Sequence, residues 1–227
     1  MKKQIAILGS TGSIGKSTLK IIDRDLDNFK ILLLTTNKNF KTVLKQAVKF
    51  NVKNVIITNE NRFKIAKNIT KYKNINIHNN FKIYSQLFKK KIDYVMSSIS
   101  GLNGLEPTLK IIRHTKTIAI ANKESIICAW NLLSTEMKKF NTKFIPVDSE
   151  HFSIWSLLNN SSNIRIEKIF ITASGGPFLN YKKKQFLNIK PSIAIRHPNW
   201  SMGKKISIDS STMMNKVFEI IEAKRIF

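Results

Sequence analysis

Six short apolar runs, spaced along the first 148 residues of this 227-residue chain, constrain its fold more than any other feature. They are QIAIL (4–8), KILLLTT (30–36), NVIIT (54–58), DYVMSSI (93–99), TIAIAN (117–122) and KFIPVD (143–148). Each is apolar nearly throughout instead of alternating, the pattern of a strand buried on both faces. Helical stretches around 40–50, 61–70, 104–113 and 124–139 separate them, so strand and helix alternate. That alternation predicts an α/β chain with a doubly wound, parallel, Rossmann-like sheet, and such sheets collect ligands beyond the carboxyl ends of their strands. No internal repeat is present.

The first run breaks at Gly9 into LGSTGSIG, and KSTLKIID (16–23) follows with Ile14, Leu19 and Ile22 at helical spacing. Strand, glycine turn and helix in this order can hold a phosphate: glycine lets the backbone approach, and the free amides and helix dipole favour the negative charge. The glycines are spaced GxxGxxG and not the usual GxGxxG. Ser10, Thr11 and Ser13 are candidate hydroxyl donors. The second run ends in TTNKN, and no acid stands between Asp27 and Glu60 to hold a ribose hydroxyl pair. Asn37, Lys38 and Asn39 at that tip suit the 2′-phosphate of NADP, although a lysine-rich chain can place Lys38 there by chance.

The formal charge of +25 suggests nucleic acid at first sight. Lysine outnumbers arginine 33 to 6, however, and Ile, Asn and Phe are abundant too, as AT-rich codon usage produces. The lysines are scattered and no recognition helix organises them, so no specific nucleic-acid partner is expected. Cys128 is the single cysteine, which excludes an intrachain disulfide and fits a reducing cytoplasm. The opening apolar run is too short for a signal peptide, and no run approaches the roughly 18 apolar residues of a spanning helix. A cytoplasmic protein without a membrane partner is expected.

Only 14 acids occur, so their placement is informative. In PVDSEH (146–151), Asp148 and Glu150 stand two apart at a strand end; two carboxylates this close repel unless a cation lies between them, and hard divalent ions suit oxygen ligands. The alternative is that Asp148 or Ser149 caps the helix HFSIWSLL. KIFITASGGPF (168–178) reads as a strand running into a glycine turn that exposes Ser174. RHPNWSMGKK (196–205) reads as a loop whose Trp200 either closes over a ligand or plugs a core gap. IDSSTMMNKVFEIIEAKRIF (208–227) reads as one helix beginning at Ser210 or Ser211, with Asn215, Lys216 and Glu219 on one side. The hydroxyls, the Asn215 amide, Lys216 and the helix start are good phosphate donors, or else Lys216 and Glu219 form a surface ion pair.

LGSTGSIG, ANKES, PVDSEH, SGGPF, RHPNWSMGKKIS and DSSTMMNK, in this order, resemble the 1-deoxy-D-xylulose 5-phosphate reductoisomerase family of the non-mevalonate isoprenoid pathway, from residue 4 to the end of the chain. The resemblance implies an NADPH-binding domain over 1–147 and a partial α+β catalytic domain over 148–227. It assigns Thr11, Gly12, Ser13 and Ile14 to the NADPH pyrophosphate, Asn37, Lys38 and Asn39 to the 2′-phosphate end, and Asn122, Lys123, Glu124 and Gly203 to further cofactor contacts. It makes Asp148, Glu150 and Glu219 the ligands of Mg²⁺, Mn²⁺ or Co²⁺. It places Lys123, Ser149, Glu150, Ser174, His197, Trp200, Ser210, Asn215, Lys216 and Glu219 on a phosphorylated sugar, with Met202 beside His197 and Trp200 in a flap. Lys123 and His197 join the three carboxylates as catalytic candidates.

The implied reaction is isomerisation and NADPH-dependent reduction of 1-deoxy-D-xylulose 5-phosphate to 2-C-methyl-D-erythritol 4-phosphate, in a homodimer. Asn37, Trp130 and Val217 stand where family members usually carry glycine. Members also continue well over a hundred residues beyond the position of Phe227, through the rest of the catalytic domain and a helical domain. The resemblance therefore also allows a remnant that binds NADPH but turns over little substrate, with apolar Val217, Ile220, Ile221 and Ile226 left partly exposed.

Overall fold

The structure, a computed structural model, describes residues 1–69, 72–159, 166–200 and 203–227. Two compact units divide it, Met1–Val147 and Asp148–Phe227.

The first unit is a seven-stranded, wholly parallel sheet. Its strands are β1 (Lys3–Leu8), β2 (Phe29–Thr36), β3 (Asn54–Ile57), β4 (Asn76–His78), β5 (Ile92–Ser97), β6 (Thr115–Ile120) and β7 (Lys143–Pro146), in the order β4-β3-β2-β1-β5-β6-β7. Strand β1 pairs with β2 on one side (Ile5 opposite Ile31) and with β5 on the other (Leu8 opposite Ser97), so the winding reverses at β1/β5. In open α/β sheets that reversal opens the crevice where ligands bind. Helices α1 (Ser13–Asp23), α2 (Phe40–Lys49), α3 (Glu60–Lys67), α4 (Tyr84–Leu87), α5 (Leu105–Ile112) and α6 (Lys123–Lys139) connect the strands.

The apolar runs become the core as their composition dictates. Ile7, Leu34, Val55 and Ile57 pack with Leu19 and Ile22 of α1 and Val43, Leu44 and Ala47 of α2. Fully burying each of the larger aliphatic side chains contributes about 1.5–3 kcal/mol. On α1 the buried face is Gly15, Leu19 and Ile22, at i, i+4 and i+7. Ile14, expected on that face, points outward instead. Gly9 ends β1 at φ +83°, and a Cβ there would meet the Ser98 carbonyl oxygen at 2.7 Å, so only glycine fits between β1 and the segment after β5.

The second unit carries α7 (Ser149–Asn159), α8 (Pro191–Ala194), α9 (Lys204–Ser211) and α10 (Met214–Ile226), with 3₁₀ turns at Gly176–Phe178 and Lys183–Asn188. Three sequence expectations are corrected here. Residues 168–174 join no sheet, because a strand needs a ladder partner and no described segment of this unit supplies one. The helix expected from 208 onward is two helices, broken where Met213 adopts left-handed φ 62°. Ser210 and Ser211 therefore end α9 instead of starting a helix. Finally, Ser149 and Glu150 do not extend β7 but begin α7, so Asp148 and Glu150 are brought together by a helix start and not by strand alternation.

Candidate active site

In the first unit a cavity of about 510 Å³ lies beyond the carboxyl ends of the strands, lined by Gly9, Thr11 and Gly12 after β1, Thr35, Thr36 and Asn37 at the tip of β2, Thr58, Phe81, Ser98–Ser100 and Asn103. Helix α1 begins there with Gly12 as its N-cap, no side-chain cap and no acid in its first turn. Its first amides, including those of Ser13 and Ile14, lack intrahelical partners and offer themselves to an anion. Thr11 shares a 2.8 Å hydrogen bond with Thr36, and Asn37 donates to the Thr58 hydroxyl at 2.8 Å. Lys38 and Asn39 are exposed on the short link between β2 and α2. Ser10 departs from expectation: it is fully buried, and its hydroxyl turns away from the cavity toward Gln46 of α2.

Asn122 is only 3% exposed. Its side chain caps α6 by accepting from the Ser125 amide at 2.5 Å, and it donates to the carbonyls of Ile99 and Gly101, at 2.8 Å in the latter case. It thus pins the segment that lines the cavity. Lys123 and Glu124 occupy the first turn of α6, half-buried. Gly203 lies in the second unit as the N-cap of α9. The lining residues Thr58, Ser98 and Asn103 were missed by sequence reasoning, although Thr58 and Ser98 lie at the carboxyl ends of apolar runs and Asn103 shortly after one, which was the available signal.

In the second unit the carboxylates of Asp148, Glu150 and Glu219 approach within 4.8 Å of one another. Lys216 lies among them: its Nζ is 2.9 Å from Glu150 Oε1 and pairs with Glu219. This is no surface pair, since the Lys216 and Glu219 side chains are 14% and 1% exposed. Asn215 donates to the other oxygen of Glu219. Burial pushes the Glu150 carboxyl up, but hydrogen bonds from Ser149 (2.7 Å) and Lys216 prevail and hold it at about 2. Burial likewise pulls Lys216 down, and its contacts with Glu219 and Glu150 raise it overall. Three carboxylates against one ammonium leave an excess of negative charge made of hard oxygen donors, which suits a divalent cation such as Mg²⁺ or Mn²⁺.

The depressed Glu150 carboxyl has a pH consequence. Its contribution to stability is fully present above the ordinary value of 4.5 and is lost as pH falls toward about 2. Acid unfolding followed by circular dichroism is expected to show a shallower loss of stability across that window in Glu150→Gln than in the parent; identical slopes would contradict the assigned contacts.

These carboxylates border a cavity of about 680 Å³ that also takes in Ser149, Thr172–Gly175, His197, Asn199, Trp200, Ile206, Ser210, Met213, Asn215 and Lys216. Every substrate candidate named from the second unit is therefore in one place; Lys123 belongs to the first unit, and Met202 lies outside the described residues. His197 Nδ1 accepts from the amides of Asn199 (3.1 Å) and Trp200 (3.2 Å), which leaves its Nε2–H to donate to Ser174 Oγ at 2.9 Å. Trp200 is 64% exposed, so it plugs no core gap. Sequence reasoning missed His151 and Glu222, both almost wholly buried. The Nε2 of His151 meets the Glu219 carbonyl at 2.9 Å, and its Nδ1 is 3.8 Å from carboxylate oxygens of both Asp148 and Glu222.

A parallel, doubly wound sheet with a glycine turn at its point of reversal puts the chain in the Rossmann-like class of α/β proteins. The 1-deoxy-D-xylulose 5-phosphate reductoisomerase family model matches residues 5–130, and the model of that family's C-terminal domain matches residues 144–227. The chain belongs to the 1-deoxy-D-xylulose 5-phosphate reductoisomerase family. It is 62% identical to the reductoisomerase of Pelagibacter ubique and 42% identical to that of Phocaeicola vulgatus, spanning 58% and 59% of their lengths. The solved Zymomonas mobilis reductoisomerase in complex with NADPH superposes with a TM-score of 0.86 at 35% identity, covering 100% of this chain and 58% of that one. A reductoisomerase in complex with NADPH, fosmidomycin and magnesium superposes equally well, at 0.86 and 35%, covering 99% of this chain and 58% of that one. Among the described residues no helix is long and apolar enough to cross a membrane.

Proposed function

We propose that this chain carries the NADPH site and the metal and substrate site of a 1-deoxy-D-xylulose 5-phosphate reductoisomerase, the activity that converts its substrate to 2-C-methyl-D-erythritol 4-phosphate. The observation that carries the reading is the convergence of Asp148, Glu150 and Glu219 on the cavity that also holds Ser174, Ser210, Asn215 and Lys216. Thr11, Gly12, Ser13 and Ile14 would hold the NADPH pyrophosphate, and Asn37, Lys38 and Asn39 its 2′-phosphate. Asp148, Glu150 and Glu219 would hold the divalent ion. When bound, the ion supplies Lewis-acid polarisation of the substrate ketone and NADPH supplies hydride.

The chain's own residues do the rest. Lys216, Asn215 and the hydroxyls of Ser174 and Ser210 offer donors to the sugar phosphate, a remote clamp that holds the reacting carbons in place. His197, fixed in one tautomer by two backbone amides, presents its N–H to the same cavity through Ser174. Trp200, exposed on its loop, is available to exclude water.

Cofactor choice gives the direct test. The acid-free stretch from 28 to 59 and the exposed Lys38 predict NADPH over NADH by about tenfold or more, the worth of a charge-assisted bond to a phosphate. Fluorescence titration of the 227-residue chain with both cofactors measures it, and equal affinities would sink the assignment of the β2 tip. An assay of NADPH oxidation with 1-deoxyxylulose 5-phosphate and Mg²⁺ separates cofactor binding from turnover in this chain.

A further inference from the structure

Between the glycine turn and α2 lies a polar contact that the proposed chemistry does not use. Ser10 is wholly buried, and Gln46 of α2 grips it at two points: the Ser10 hydroxyl donates to Gln46 Oε1 at 2.8 Å, and Gln46 Nε2 donates back to the Ser10 carbonyl at 3.0 Å. From β2, Thr35 supplies the remaining partners, its hydroxyl accepting from the Gly9 amide at 2.8 Å and its carbonyl from the Ser10 amide at 3.0 Å. The Gly9 amide and both backbone groups of Ser10 are thereby committed to the rear of the turn, while the Gly9 carbonyl accepts from the Gly12 amide at 3.1 Å within it. The next residues, Thr11 and Gly12, face the cavity.

We infer that Gln46 is a positioning residue for dinucleotide binding, holding the glycine turn in the shape that presents its forward amides to the pyrophosphate. The inference rests on the NADPH reading of this cavity. Two hydrogen bonds from one side chain to one residue fix both its place and its rotation, and a turn already held in its binding shape loses less conformational freedom when the anion arrives. Thr35 replaces Gln46 only in part: its carbonyl also accepts from the Ser10 hydroxyl, at a longer 3.3 Å, but none of its groups donates to the Ser10 carbonyl, which Gln46 alone serves among the described contacts. Gln46 also stands two turns into the helix that begins beside Lys38 and Asn39, so the same side chain ties the pyrophosphate turn to the element carrying the 2′-phosphate end.

The test uses the 227-residue chain as parent, Gln46→Ala and the volume-conserving Gln46→Met, which keeps the packing of α2 and serves if the alanine variant folds poorly. Titrations with NADPH and with 2′-AMP, which carries the 2′-phosphate but no pyrophosphate, are expected to separate. NADPH weakens by about tenfold in each variant, while 2′-AMP changes by less than about twofold. Amide exchange over residues 9–13 in the ligand-free variants is expected to quicken. Parallel weakening of both ligands would make Gln46 a purely structural tie and overturn the inference. Unchanged NADPH affinity and exchange in Gln46→Met would overturn it as well, leaving the NADPH reading intact. A parent that binds no NADPH at all would remove that reading and the inference together.

Discussion

Glu219→Gln is expected to raise the dissociation constant for Mn²⁺ by at least about a hundredfold, because affinity at an oxygen-ligand site follows the count of charged ligands. Glutamine keeps the volume of this wholly buried side chain and leaves Lys216 its contact with Glu150, so the fold has little reason to fail. Removing one of three carboxylates crowded within 4.8 Å even relieves repulsion in the metal-free protein. Stability and metal binding therefore separate in this variant. With Mn²⁺ at a hundred times its dissociation constant the parent gains about 2.7 kcal/mol of unfolding free energy, and the variant gains about 0.4 kcal/mol or less. Calorimetric titration and a thermal melt with and without Mn²⁺ measure both, and parent-like binding by Glu219→Gln would show that the ion, if bound, sits elsewhere.

The second large effect is expected at Gly15. A Cβ there would lie 2.4 Å from the Gly9 carbonyl oxygen and 2.6 Å from the Ser10 Cα, both backbone atoms that no rotamer change can move. Gly15→Ala must push α1 off the turn, at a cost of about 3 kcal/mol by the usual scale of overpacking. It also disturbs the amides at the head of α1, so NADPH affinity is expected to fall with stability. Gly12→Ala is the internal control: its nearest atom is 3.4 Å away and its φ is negative, so its melting temperature stays near that of the parent. Chemical denaturation of both variants decides the matter. Similar stabilities would mean that the turn and α1 are less closely packed than described.

The sheet was legible in the sequence because its strands are buried on both faces and therefore read as unbroken apolar runs, and the helices between them begin and end within a few residues of expectation. Strand β4 was not legible: Asn76–His78 is three residues long and carries no such run. The break at Met213 left no glycine or proline to announce it. Residues 168–174 have strand composition but no ladder, a property that no local window contains. In the site, Asp148 and Glu150 stood out because acids are scarce, whereas Glu219 joined them only through family resemblance, since its partners lie some seventy residues away, just before and at the start of α7. Ser10 was misdirected for a related reason. A glycine turn reveals that its residues are polar, but which side each one faces depends on Gln46 and Thr35, on elements formed later in the chain.

The strand order also has a consequence during synthesis. The ladder between β1 and β5 joins Leu8 to Ser97, separated by about ninety residues, whereas β2, the other neighbour of β1, follows it almost at once. At roughly 5–20 residues per second, β1 waits between about 4 and 18 s on the ribosome before β5 exists to cover it. For that interval the innermost strand of the finished sheet is an outermost one, with a free row of amides and carbonyls and apolar Ile5, Ile7 and Leu8 beside it. Such an edge invites pairing with neighbouring nascent chains. The yield of folded protein should therefore depend on elongation rate and on chaperones that shield the emerging half-sheet, even though the completed sheet hides every trace of that exposure.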